Sequence, residues 1–447
     1  MSSTDTYAPS GTAAARAPGN GLVAAVILAL FVLAAVVSAA RKDVTQGFDE
    51  VAHVSYVAHI QHSGNAWPDL ESLRLLDPRT FQFTAEANYL DHPPIYYALL
   101  AVLGPTLESH PQAILALRLI DIALAAIGVA AWLGLALAAR LSRYEFYAFA
   151  VPVACVPVLV PLAGAVNNDD LVLLGGAVAT LGVWQLAAST DPGIPRSSGS
   201  GTRTIWLAVA LAGVVATAWA KLTGLVLTGA MVCAVLAFLL WRKRLPRTAA
   251  IAAALALTLA AAPYFVFIVQ YGSPTPNTAA LMAFVESGAR AFGWTDLPRL
   301  SFPSYFAYFV GQLIANWMPT LTTRNAFQYG MLIIPVAALA CAAAGLALSL
   351  RRVWRGQETS LDIVVSAGAA ALAANFVLLI GYNYSFYVSH GWMAGAYPRY
   401  FLPLFAIVPL ACLSLLGAVE AARWRAVLLA FFTAGPILFF VFGAPLG

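Results

Sequence analysis

Apolar stretches of about twenty residues recur along this chain, divided by short basic linkers and by two long mixed segments. They lie near 21–40, 113–139, 145–165, 171–189, 205–219, 222–240, 248–270, 331–350, 361–380, 400–417 and 426–445. Most are long enough to cross the roughly 30 Å hydrocarbon core of a bilayer as helices. The pattern therefore predicts an all-α polytopic membrane protein with about 11 transmembrane helices. Residues 21–40 exceed the apolar core of a signal peptide and read as a retained first helix. The polar segment 1–20 ahead of them is predicted to be a disordered cytoplasmic N-terminus.

Two mixed segments fit no span. Segment 41–112 holds an apolar piece at 94–107 too short to cross, and segment 271–330 holds an aromatic, proline-broken piece at 302–319. Both pieces suit interfacial helices in two external loops. Residues 51–60 read as a further amphipathic interfacial helix, and 190–203 as a flexible cytoplasmic connection. Basic clusters fix the orientation: Arg140 and Arg143, Arg196 and Arg203, Arg242 to Arg247, Arg351 to Arg355, and Arg423 and Arg425. With all five in the cytoplasm beside an inside Arg16, the alternation closes without conflict. Asp49, Glu50, Asp169, Asp170, Lys221, Arg290, Arg299, Arg324 and Arg399 then all face outward.

Composition narrows the classes further. The 447 residues are 61% hydrophobic and only 10% charged, which excludes a soluble globular or disordered chain. A net charge of +4 confined to short linkers is a topology signal, and no nucleic-acid partner is expected. Cys155, Cys233, Cys341 and Cys412 sit singly in apolar runs, which argues against a disulfide framework or a zinc site.

Carboxylates beside lipid-facing helices are costly to keep ionised, so they are the first candidates for chemistry. Asp49 and Glu50 precede a helical pattern in which both approach His53. They are either helix caps or a partly desolvated base. Asn167, Asn168, Asp169 and Asp170 open the run at 171. They either cap that helix or bind a divalent ion, magnesium or manganese, with Asp49; capping needs only one acid, which leaves a surplus. Asp91 and His92 stand before Pro93 and Pro94, a rigid helix start that ends on Tyr96 and Tyr97. Lys221 and Arg399 are cations on the outer ends of helices, against the topology rule, and either a lipid phosphate or snorkelling among lipid headgroups would explain them. Arg118 and Asp121, three residues apart, suggest an ion pair within one helix. His59 and His62 share a helix face, but no HExxH motif supports a metalloprotease.

The ordered set of Asp49-Glu50, His92-Pro93-Pro94 and Asn168-Asp169-Asp170-Leu171 resembles the GT-C superfamily of integral-membrane glycosyltransferases. The similar branch has a protein-mannosyltransferase-like or aminoarabinose-transferase-like core. Pro398-Arg399-Tyr400, with Pro403 following, is similar to late motifs of that type. The resemblance covers residues 21–270 well, which would make them the catalytic membrane module, with 271–330 an external loop and 331–447 C-terminal transmembrane helices.

The resemblance implies inverting transfer of a sugar from a polyprenyl-phosphate donor at the extracytoplasmic face of a bacterial inner or plasma membrane. The acceptor would be a lipid, a glycan or a protein. Asp49 would be the general base, with Glu50 and Asp169 in the catalytic set. Lys221, Arg399, Arg324 and His92 would contact the donor phosphate, and His53, Asp170, Asn168, Tyr400 and Tyr96 the substrates. No cofactor is required by sequence. The rival readings are a transporter or flippase for lipid-linked saccharide and a polymerase or ligase using pyrophosphate-linked donors.

Overall fold

A computed structural model describes residues 19–107, 111–190, 200–317, 330–393 and 395–443. The helices are α1 (Asn20–Arg41), α2 (Glu50–Ser63), α3 (Ile95–Leu103), α4 (Pro111–Ala138), α5 (Arg143–Ala154), α6 (Leu159–Ala163), α7 (Asp169–Ser189), α8 (Ser200–Ala218), α9 (Leu222–Trp241) and α10 (Thr248–Tyr271). There follow α11 (Ala279–Ala291), α12 (Phe302–Ala315), α13 (Ile333–Trp354), α14 (Ser360–His390), α15 (Ile407–Ala418) and α16 (Ala422–Gly443). An antiparallel hairpin, β1 (Arg74–Leu76) and β2 (Phe83–Ala87), decorates the segment between α2 and α3.

Among the described residues nine helices are long and apolar enough to cross a membrane, so the protein is an integral, multi-pass membrane protein. A tenth span arises if the 3-10 turn Pro398–Leu404 and α15, bent by 62° at their junction, count as one. Eleven uninterrupted spans are not found among the described residues, and prolines interrupt two of the expected runs. The run 145–165 carries Pro152, Pro157 and Pro161 and breaks into α5 and the five-residue α6. Pro398 and Pro403 do the same to the run at 400–417.

The two segments expected to be external loops are also more built than their sequence suggests. Helix α2 is no amphipathic surface helix: from Ala52 to Ala58 every residue is buried, in a core shared with Tyr96, Tyr97 and Leu100 of α3. Helix α14, at 31 residues, is about 46 Å long and outruns the bilayer. Its last turns stack Tyr387 on Tyr305 of α12, which ties the 271–330 segment to it.

Glycines decide how closely the elements that carry Asp169, Lys221 and Arg399 approach. A Cβ at Gly175 of α7 would stand 2.8 Å from the Gly213 carbonyl of α8, so the two backbones touch there. On the neighbouring position of α7, a Cβ at Gly176 would lie 2.4 Å from the Pro403 carbonyl. That contact seats the Arg399-bearing turn directly on α7.

Candidate active site

The chain enters α2 through three consecutive residues at positive φ: Gly47 at 135°, Phe48 at 55° and Asp49 at 60°. Left-handed backbone is free for glycine but costs a side-chain-bearing residue about 1–2 kcal/mol. The turn points adjacent carboxylates in opposite directions. Glu50, 1% exposed, faces inward and takes both forks of the Arg118 guanidinium at 2.7 Å, plus the Val166 amide at 2.8 Å. Asp49, with a side chain 40% exposed, faces outward. Its Oδ1 accepts from the Tyr89 hydroxyl at 3.1 Å and its Oδ2 lies 3.4 Å from Arg399 Nη2.

Glu50 is therefore enclosed in a buried ion pair and turned away from Asp49. Arg118 pairs with it across 68 residues, whereas the expected partner Asp121 accepts from the Tyr96 hydroxyl at 2.8 Å. Tyr96 is fully buried on that bond. His53 is likewise enclosed, at 2% exposure. Burial, reinforced by Lys221, pulls its imidazole down to about 3, so the ring is neutral.

Asp169 begins α7 and is 4% exposed. Lys221 Nζ donates to its Oδ1 at 2.7 Å, and Arg399 Nε stands 3.7 Å from its Oδ2. Arg399 thus bridges Asp49 and Asp169, residues 120 positions apart in sequence. The Tyr400 ring lies beneath Lys221 Nζ at 4.7 Å, and Phe48 and Tyr397 flank Arg399. Two amides hold this register. Asn168 donates to the Ala220 carbonyl at 2.9 Å, fixing the turn that presents Lys221. Asn167 donates to the Phe48 carbonyl at 2.8 Å, contacts His53 Nε2 at 3.2 Å and accepts the Asp169 amide at 2.9 Å. One buried side chain so couples the two acid-bearing turns.

Beside Lys221 and Tyr400 lies a cavity of about 380 Å³, whose wall includes His92 and Asp91. Burial pushes Asp91 up to about 6 and holds His92 well below its ordinary value. A phosphate contact from His92 would accordingly be a neutral hydrogen bond and not a charge. Asp170 is fully buried, and neither carboxylate oxygen has a hydrogen-bond partner. It is not presented to the cavity. Arg324 lies outside the described residues.

No three His, Cys, Asp or Glu among the described residues come together as metal ligands require. Asp49 and Asp169 are each engaged by a cation and Asp170 is enclosed, so this trio does not fit a divalent ion. Sequence reasoning brought Asp49, Asp169, Lys221, Arg399 and Tyr400 to one place. It missed Tyr89 and the α14 wall of the cavity, neither of which carries a local motif.

No protein-family model matches the sequence, and no curated protein matches it. Among solved structures the chain is similar to the apo oligosaccharyltransferase of Archaeoglobus fulgidus, with 12% identity and a TM-score of 0.46. The match covers 94% of this chain and 54% of that one, so the chain spans about half the length of the archaeal enzyme. It is also similar to ArnT from Cupriavidus metallidurans bound to undecaprenyl phosphate, with 13% identity, a TM-score of 0.39, and 94% of this chain and 86% of that one covered. For the apo state of that ArnT the figures are 14%, 0.39, 88% and 78%.

Proposed function

We propose that this chain is a membrane glycosyltransferase that moves a sugar from a polyprenyl-phosphate donor to an acceptor hydroxyl, with inversion, at the extracytoplasmic face of a bacterial inner or plasma membrane. The observation that carries the reading is Arg399 held between Asp49 and Asp169, with Lys221, paired to Asp169, lining a cavity. The ordered motifs that resemble the GT-C superfamily support it.

The roles follow from exposure. Asp49 is the accessible carboxylate and takes the acceptor's proton. The acceptor oxygen then bonds to the anomeric carbon while the carbon–oxygen bond to phosphate breaks, and the electron pair leaves on the polyprenyl phosphate. Lys221 and Arg399 stabilise the charge that builds there. Asp169, buried against both cations, keeps them aimed before substrate arrives. No step runs through a metal.

Undecaprenyl phosphate, the lipid in the ArnT structure, is the first ligand to test. Asp49→Asn should abolish turnover in detergent, by about 10²-fold or more, while undecaprenyl phosphate still binds. An active Asp49→Asn protein refutes the assignment of the base. Turnover without a sealed membrane separates a transferase from a flippase.

A further inference from the structure

The cavity beside Lys221 has a wall that phosphate chemistry does not use. Asn375, Tyr382 and Asn383 line it from α14, and Asp91, Thr223 and Thr275 come from elsewhere in the chain. The α14 residues fall at helical spacing on one face, with Leu378 and Leu379 between them, so the stripe sets polar groups at either end of an apolar patch. Gly395 makes room for it: a Cβ there would stand 2.0 Å from Asn383 Oδ1. The Asp91 side chain is 20% exposed, and among the described residues its one ion-pair partner is His92, at 3.2 Å. Because His92 is neutral, the Asp91 carboxylate meets the cavity without a cation of its own.

Amides, hydroxyls and a carboxylate around a space flanked by Tyr264 and Tyr400 have the hydrogen-bonding character of a sugar site, and about 380 Å³ is within the usual size of small-molecule pockets. An ionised carboxylate accepts hydrogen bonds from hydroxyl or ammonium groups and opposes a second carboxylate. Resting on the transferase reading, we infer that this cavity holds the sugar of the donor and that Asp91 selects uncharged or amino-substituted sugars against uronates. Lys221 marks the phosphate end of the cavity, where its charge is already matched to Asp169.

The test uses the full-length protein in detergent at pH 7.5. Affinities are measured by native mass spectrometry for undecaprenyl phosphate, undecaprenyl phosphate–glucose and undecaprenyl phosphate–glucuronic acid. The wild type should prefer the glucose lipid over the glucuronic acid lipid by about tenfold or more. Asp91→Asn should narrow that preference to within about threefold and leave undecaprenyl phosphate affinity unchanged within about twofold. Asn383→Ala should weaken the glucose lipid relative to undecaprenyl phosphate, which keeps a readout should the Asp91 variant not fold. Equal wild-type affinity for the two sugar lipids, or full discrimination in Asp91→Asn, overturns the inference alone. Failure of the wild type to bind undecaprenyl phosphate at all overturns the transferase reading and the inference with it.

Discussion

Asn167→Ala removes one small side chain and should uncouple the two acid-bearing turns. The amide is 1% exposed and serves the Phe48 carbonyl, His53 Nε2 and the Asp169 amide. Each buried group left unpaired costs about 1–3 kcal/mol, so with partial repacking the loss is about 3 kcal/mol. The left-handed conformations of Phe48 and Asp49 together hold about 2–4 kcal/mol of strain. Clamp and strain are of similar size, so without the clamp the turn relaxes and Asp49 leaves its place beside Arg399. Each 1.4 kcal/mol of misplacement is about tenfold in rate, which predicts a kcat lower by about 10- to 100-fold. Asp169 loses one backbone bond but keeps its side-chain bond to Lys221, so undecaprenyl phosphate affinity should change less than about threefold. Hydrogen–deuterium exchange of a peptide covering residues 44–52 should rise. The reasoning fails if kcat stays within about twofold of wild type, or if kcat, lipid affinity and thermal stability collapse together.

Other perturbations separate structure from chemistry. Glu50→Ala strands a buried guanidinium and should lower stability by about 3–5 kcal/mol, read from thermal unfolding; unchanged stability would place Glu50 outside the fold's support. Gly176→Ala drives a methyl toward the Pro403 carbonyl and displaces the Arg399 turn, so undecaprenyl phosphate affinity should fall about tenfold, with wild-type affinity as the refuting result. Asp91 gives a pH signature. Its carboxyl rises from 3.8 to about 6 in the fold, so the folded state holds a proton that the unfolded chain releases, and this contribution is lost as pH rises from about 4 through 6. Asp91→Asn should then be more stable than wild type at pH 7.5 by about 1–2 kcal/mol, after allowance for solvent at this partly exposed group, and the gap should close toward pH 4. A gap that does not vary with pH would contradict it.

The four charges of the site were legible because charge is scarce in this chain. An acid or a base at the outer end of an apolar run has few structural excuses, so Asp49, Asp169, Lys221 and Arg399 stood out singly. The choice between Asp49 and Glu50 was not legible, since it depends on a left-handed turn that no residue type at 48 or 49 announces. Arg118 shows the same limit. Its sequence neighbour Asp121 was the local guess, but the geometry favours Glu50, which arrives from another helix. Span counting failed where prolines made short helices out of apolar runs, because hydropathy registers composition and not continuity. Asp91 gains its meaning from α14, nearly three hundred residues later, and no spacing rule reaches that far.

The arrangement of unpaired atoms argues that the site is built at the expense of the fold. Asn168 Oδ1 and both oxygens of Asp170 are buried without hydrogen bonds, as are Asp169 Oδ2 and Arg399 Nε, which face each other as an ion pair at 3.7 Å. Four of those five atoms belong to three successive residues at the start of α7. Native chains leave few such groups, and each costs about 1–3 kcal/mol. The rest of α7 compensates: its buried face packs glycine-close on α8 and on the 398–404 turn, which holds the helix start where it would not stay for its own energy. A helix terminus held so firmly cannot rotate to satisfy its own polar atoms. The Asp169 carboxylate consequently remains aimed at Lys221 and Arg399, the two cations to which the proposed transfer assigns the leaving phosphate.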